Sequence, residues 1–165
     1  MIGASDPAQP SEEDALTIRR AESFDLAGLL ALYRELNPDD AEISVDKAHD
    51  NFDALSRFPG SAIYVGLIDQ TIATTCTLIV IPNLTRSGRP YALVENVVTA
   101  SPYRGRGYGR KTLLQALSAA WENDCYKVML LTGTTRPETL AFYKSVGFEQ
   151  NKTGFQIRRI AARAD

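Results

Sequence analysis

The sequence predicts a mixed α/β fold on a mostly antiparallel central sheet, and three of its features carry that expectation. Between residues 62 and 99, three runs rich in Val, Ile, Thr and Ala are separated by polar turns, the pattern of a strand meander. The apolar period changes after Gly107, where Leu113, Leu114, Leu117, Ala120 and Trp121 mark one face of a helix. A mostly apolar run over residues 127–132 follows that helix. A strand, a helix and a strand in succession favour one parallel pair within the sheet.

The elements follow in order. Residues 16–20, Leu-Thr-Ile-Arg-Arg, alternate as a half-buried strand does, and Phe24, Leu26, Leu29, Leu30, Leu32, Tyr33 and Leu36 then recur at helical spacing. Asn37-Pro38 breaks that helix, because proline cannot continue the hydrogen-bond ladder. Ser44 is placed to cap a second helix that runs to about Phe58 and stops at Pro59-Gly60. Strands are expected over 62–68, 71–81 and 91–99, then a helix from Gly107 to near Asn123 and a strand over 127–132. Pro137 can open a further helix to Val146, with Gly147 as its left-handed stop, before a final strand at 155–160. No repeat or linker interrupts this β-α-α-β-β-β-α-β-α-β order, so a single domain is expected over 15–165, behind a flexible tail at 1–14.

Composition narrows the class of function. The chain has 165 residues, 44% hydrophobic and 23% charged, within the range of one soluble globular domain. A net charge of -2 supplies no field to draw a nucleic-acid backbone, so no nucleic-acid partner is expected. Cys76 and Cys125 form no CxxC pair and join no His/Cys cluster, which argues against a metal site and for reduced thiols in a cytoplasmic protein. The first residues lack the basic start and apolar core of a secretory signal. No run approaches the ~20 apolar residues of a membrane span, so no membrane partner is expected either.

The segment from Val94 to Leu114, V-E-N-V-V-T-A-S-P-Y-R-G-R-G-Y-G-R-K-T-L-L, is the most informative. A strand runs into a glycine-rich basic turn, and the turn opens a helix. Glycines let backbone approach a ligand, and a helix start offers unpaired N–H groups and the positive end of a dipole. Such a turn suits a phosphate. The other reading is that Gly105, Gly107 and Gly109 only shape a tight turn, with Arg104, Arg106, Arg110 and Lys111 as solvated charge. The spacing fits neither the GxxxxGK[ST] of a P-loop nor the GxGxxG of a dinucleotide fold.

Arg104, Gly107 and Gly109 meet the [Q/R]-x-x-G-x-[G/A] signature of the GCN5-related N-acetyltransferase (GNAT) superfamily, and residues 139–148, T-L-A-F-Y-K-S-V-G-F, look like its F-Y-x-x-x-G-F stretch. The chain resembles that superfamily from about residue 16 to 160, most strongly over 95–148. The resemblance implies a seven-stranded mixed sheet splayed between strands 4 and 5, flanked by helices, with acyl-CoA in the gap. It places the pantetheine arm along Val97, Val98 and Thr99, and the pyrophosphate on Arg104, Gly105, Arg106, Gly107, Tyr108, Gly109 and Arg110. One position departs from the pattern: Arg136 stands seven residues before Tyr143, where many members carry Asn. It either reaches the cofactor or is a solvated charge ahead of Pro137.

The resemblance further implies acetyl-CoA as cosubstrate, no metal, and direct transfer in a ternary complex to a primary amine of a small molecule or protein. Tyr143 is the expected acid for the leaving thiolate, unless it only packs with Phe142 and Phe148. Glu95 is the candidate base, acting directly or through a water, or else a structural carboxylate that pairs with an arginine or caps the split in the sheet. The Val97 N–H would meet the oxyanion. Cys76 and Cys125 are expected to be buried packing residues, with an acyl-cysteine route as the alternative, and His49 a surface residue. The acidic loop with Asp39, Asp40 and Glu42 and the basic loop at 83–89 argue for opposite acceptor charges. A non-catalytic acyl-CoA sensor is the competing class, and a homodimer is left open.

Overall fold

Turn chemistry sets the meander. Asp69 and Gln70 both take left-handed backbone, φ 45° and 65°, as the central pair of a type I′ hairpin does. They join β2 (Ala62–Ile68) to β3 (Thr71–Ile81), and the proline-flanked loop after β3 leads to β4 (Tyr91–Thr99). These three strands have the bounds expected from the sequence. The computed structural model describes residues 16–159 and divides into one unit ending at Met129 and another beginning at Leu130. The expected tail at 1–14 lies outside the described residues.

The first unit also holds β1 (Thr17–Arg20), α1 (Leu26–Leu36), α2 (Val45–Ser56), α3 (Tyr108–Glu122) and β5 (Val128–Met129). The sheet order is β1-β2-β3-β4-β5, with antiparallel pairs except the parallel β4–β5 pair. The Ser44 hydroxyl accepts from the Lys47 N–H at 3.3 Å and caps α2, as expected.

Directly opposed residues share a face of an antiparallel pair. Leu78, Val80, Ala92 and Val94 therefore lie on one face, all at most 6% exposed, where α3 packs with Leu113, Ala116 and Ala120 at 0%. Approach is close at Gly66, where a Cβ would stand 2.8 Å from Thr112 Oγ1 of α3 and 2.6 Å from Thr74 Cγ2. The opposite face carries Thr75, Thr77, Glu95 and Val98, and Val98 packs with Leu32 of α1.

A buried ion pair ties the chain ahead of α1 to β1. Arg19 donates to both carboxylate oxygens of Asp25, at 2.6 and 2.9 Å, and the Glu22 N–H donates to the same carboxylate at 2.7 Å. The Arg19 hydrogen bond holds the Asp25 carboxyl below its ordinary pKa despite burial. Asp25→Asn should cost about 1.5–3 kcal/mol at neutral pH, the range for hydrogen bonds to charged groups. A depressed pKa contributes stability above the unfolded value, about 3.9, that is lost as pH falls through the folded one. The gap to wild type in denaturant melts should therefore narrow in acid.

Two expected strands are corrected. The strand over 127–132 is only Val128–Met129, since β4 offers it partners at Ala92 and Leu93 alone. The final strand at 155–160 is not formed over its described part: Phe155 and Ile157 are 91% and 99% exposed and no partner strand takes up their backbone groups. Ile160 lies outside the described residues. The seven strands implied by the resemblance are five among the described residues.

The second unit contains α4 (Pro137–Ser145), with Pro137 at its first position. Gly147, φ 104°, ends it. The Phe148 N–H donates to the Tyr143 carbonyl at 3.2 Å and the Gly147 N–H to the Lys144 carbonyl at 3.0 Å, the two bonds of a Schellman stop.

Candidate active site

A bulge reshapes β4 at its middle. Thr77 opposes Glu95 and Thr75 opposes Val98, so Asn96 and Val97 together face the single residue Cys76. Asn96 takes the strain, with a left-handed φ of 51°, as an extra strand residue requires. Beyond Leu93, β4 has no strand on its β5 side among the described residues. The Ala100 N–H donates to the Ala73 carbonyl at 2.9 Å. Strand alternation then turns Val98 toward β3 and the peptide groups of Val97 and Thr99 toward the open side. Of the three residues expected to pair with an extended ligand, Val98 is therefore committed to the sheet. Val97 and Thr99 are the open ones.

The strand leads through a 3-10 turn, Ser101–Tyr103, into the glycine loop. Gly105 and Gly107 have φ of 76° and 78°, and the Gly107 carbonyl accepts the first α3 bond, from the Lys111 N–H at 3.0 Å. The N-cap residue is Gly107 itself, which brings no capping side chain to this helix start. A Cβ built on Gly105 or Gly107 meets no protein atom within 4 Å. Open space, the amides of a helix start and the positive dipole end thus coincide, as an anion site needs. Arg104, Arg106 and Arg110 are exposed around it. Tyr108 and Gly109 are buried, Tyr108 against Ile68 and Ala73, so their side of the loop offers backbone only.

Glu95 is exposed and forms no ion pair or side-chain hydrogen bond among the described residues. In the second unit, the Tyr143 ring stands edge-on to Phe142 at 5.1 Å and to Phe148 at 6.2 Å between centroids. The Schellman stop accounts for that contact, since it brings the residue after the glycine back over the last turn.

Over residues 29–148 the chain matches the model of the Acetyltransferase (GNAT) family. The chain belongs to this family. A glucosamine 6-phosphate N-acetyltransferase of Trypanosoma brucei brucei is 29% identical over 86 residues, 52% of this chain and 56% of that protein. The chain spans about half the length of the curated relatives it matches. A solved structure from Agrobacterium tumefaciens str. C58 with a provisional acetyltransferase name is 50% identical, with a TM-score of 0.82 over 87% of this chain and 99% of its own. The aminoglycoside N-acetyltransferase AAC(6')-Iy in complex with CoA shares the fold at 14% identity, with a TM-score of 0.74 over 93% and 100% of the two chains.

In this GNAT chain, one residue that organises the loop escaped sequence reasoning. Glu35 of α1 accepts from the Ser101 N–H at 2.9 Å and the Ser101 hydroxyl at 2.8 Å, and lies 3.6 Å from Arg104. The Ser101 hydroxyl, then its N–H, holds the Glu35 pKa below its ordinary value. Arg104 in turn donates from Nε to the Thr99 carbonyl at 2.9 Å. The partners are 66 residues apart, so no local pattern could have revealed them.

The remaining candidates separate cleanly. Cys76 is 1% exposed and its thiol is pushed up to about 12 by burial, the surroundings of a packing cysteine. Cys125 is buried too, and burial raises its pKa. His49 is exposed on α2. Arg136 is exposed at the start of α4, where its carbonyl accepts from Thr139 and Leu140. Glu42 pairs with Arg34 at 2.8 Å, while the basic rim stacks Arg86 over Tyr126 and Lys127 over Tyr91 and Tyr126. No helix among the described residues is long and apolar enough to cross a membrane.

Proposed function

We propose that this chain is an N-acetyltransferase that moves the acetyl group of acetyl-CoA directly to a primary amine in a ternary complex. One observation carries the reading: the open edge of β4 at Val97 and Thr99 continues into a glycine loop that opens α3. An amide-bearing arm along the first and a pyrophosphate on the second form one path. Acetyl-CoA supplies the activated acyl group. The Val97 N–H is the donor to the oxyanion, and Glu95 takes the proton of the attacking amine. Tyr143, through the family resemblance, returns a proton to the departing sulfur. Gly105, Gly107 and the first α3 amides hold the diphosphate, with Arg104, Arg106 and Arg110 adding charge.

For the acceptor, the glucosamine 6-phosphate relative and the basic rim at Arg86 and Arg89 favour an amino sugar phosphate as the first probe. The test combines thiol release with calorimetry. Glu95→Gln should lower kcat/KM by about 10²–10⁴, the usual share of a general base, with acetyl-CoA affinity unchanged. A protein that binds acetyl-CoA yet releases no thiol with any amine would be a sensor instead.

A further inference from the structure

Two buried hydroxyls, Tyr33 Oη and Thr77 Oγ1, complete no hydrogen bond among the described residues, and Thr77 directly opposes Glu95. Tyr33 of α1 packs against Leu32, Val98 and Ala100 on one side and against Leu29, Val65 and Leu67 on the other. Burial raises the pKa of its hydroxyl, and the neighbouring hydroxyls of Thr77 and Thr75 offset this in part. Thr75 is already committed, donating to the Tyr64 carbonyl at 2.7 Å. Tyr33 Oη and Thr77 Oγ1 lie close together but complete no hydrogen bond of good geometry among the described residues.

Leaving a buried hydroxyl unsatisfied costs about 1–3 kcal/mol. Two such groups together mark a place for a third polar atom. Thr77 directly opposes Glu95 in the β3–β4 pair, which sets their Cβ atoms about 5 Å apart on one face. The Glu95 carboxylate is exposed there, so a water seated on the two hydroxyls would have a carboxylate within reach.

Resting on the reading of Glu95 as the base, we propose that the Tyr33 and Thr77 hydroxyls hold the water through which Glu95 receives the proton of the acceptor ammonium. The water accepts from the Tyr33 O–H and from the ammonium N–H, and donates to Thr77 Oγ1 and to the Glu95 carboxylate. Those four bonds fill its tetrahedral capacity. In the transfer, an ammonium N–H bond breaks and its proton joins the water oxygen. The water's hydrogen facing Glu95 passes to the carboxylate. The amine is left neutral with a free lone pair, the water is regenerated, and Glu95 becomes a carboxylic acid. Tyr33 and Thr77 act through the water and are positioning residues.

The test uses the full chain, glucosamine 6-phosphate as acceptor and a high-resolution crystal structure. Tyr33→Phe and Thr77→Val keep shape and should each lower kcat/KM about tenfold, the factor for one lost hydrogen bond of ~1.4 kcal/mol, without changing acetyl-CoA affinity. In a Glu95→Gln background the same changes should have no further effect, because residues on one relay are not additive. The crystal should show a water bridging Tyr33 Oη and Thr77 Oγ1, a result that stands whichever amine is the natural acceptor. No water there overturns the proposal, as does an acceptor atom in its place. Wild-type kcat/KM in Tyr33→Phe beside an impaired Glu95→Gln overturns it alone and leaves the proposed function intact. An unimpaired Glu95→Gln overturns the base on which both rest.

Discussion

Replacing Tyr143 with Phe should lower turnover by about 10²–10⁴ while leaving the fold and acetyl-CoA affinity as they are. The ring packs between two aromatic neighbours. The Schellman bonds at Gly147 and Phe148 set Phe148 against Tyr143, and Phe142 flanks it on the same helix. Phe preserves that packing and removes only the O–H. Steady-state kinetics with excess acetyl-CoA, alongside calorimetric titration, separates the two effects. Because an acid at the leaving sulfur acts in the transition state, kcat and kcat/KM should fall together. Turnover close to wild type would remove Tyr143 as the donor and leave it a packing residue.

Gly107→Val should abolish acetyl-CoA binding in a protein that still folds. Nothing within 4 Å would meet a new Cβ at this position, so the side chain projects over the helix start instead of into protein. That is the space a diphosphate needs to reach the α3 amides. The left-handed φ of 78° adds strain of about 1–2 kcal/mol for any residue with a Cβ, a cost that thermal melts will register without loss of the fold. Gly107→Ala carries the same strain with far less bulk and is the control: it should melt lower yet retain measurable affinity. Gly109 is a poorer probe than its place in the signature suggests. It is buried in the first turn of α3, so a valine there would disturb packing and cradle at once. Full affinity in Gly107→Val would mean that this loop does not hold the phosphates.

The parts of this molecule legible in its sequence are those decided over a few residues. β2, β3 and β4 were placed correctly because Asp69-Gln70 and the prolines at 82 and 90 punctuate them locally. Gly107 and Gly147 were legible because a helix start beside a ligand and a left-handed stop each select glycine. What failed depended on partners. The run at 127–132 has strand composition, yet only Val128 and Met129 find neighbours on β4. The last strand has the right alternation at Phe155 and Ile157 and no neighbour at all among the described residues. In the site, the residue types in L-V-E-N-V-V suggested an unbroken strand, and the bulge at Asn96 appears only when β3 fixes the register. Glu35, Tyr33 and Thr77 read as ordinary helix and strand positions until the fold brings them to the loop and to Glu95.

The extra residue in β4 also gives the strand two reading phases. Upstream of Asn96 the odd-numbered residues Tyr91, Leu93 and Glu95 look toward the α1 side; downstream it is the even-numbered Val98. Delete Asn96 and the phases merge. Val97 alone would then oppose Cys76, with Val98 still opposite Thr75 and Glu95 still opposite Thr77, so both halves keep their faces and the strand loses only its bend. One inserted residue thus lets Glu95 and Val98 stand three apart in the chain and still share a face, and what it adds to β4 is a local bend and not a change of sides.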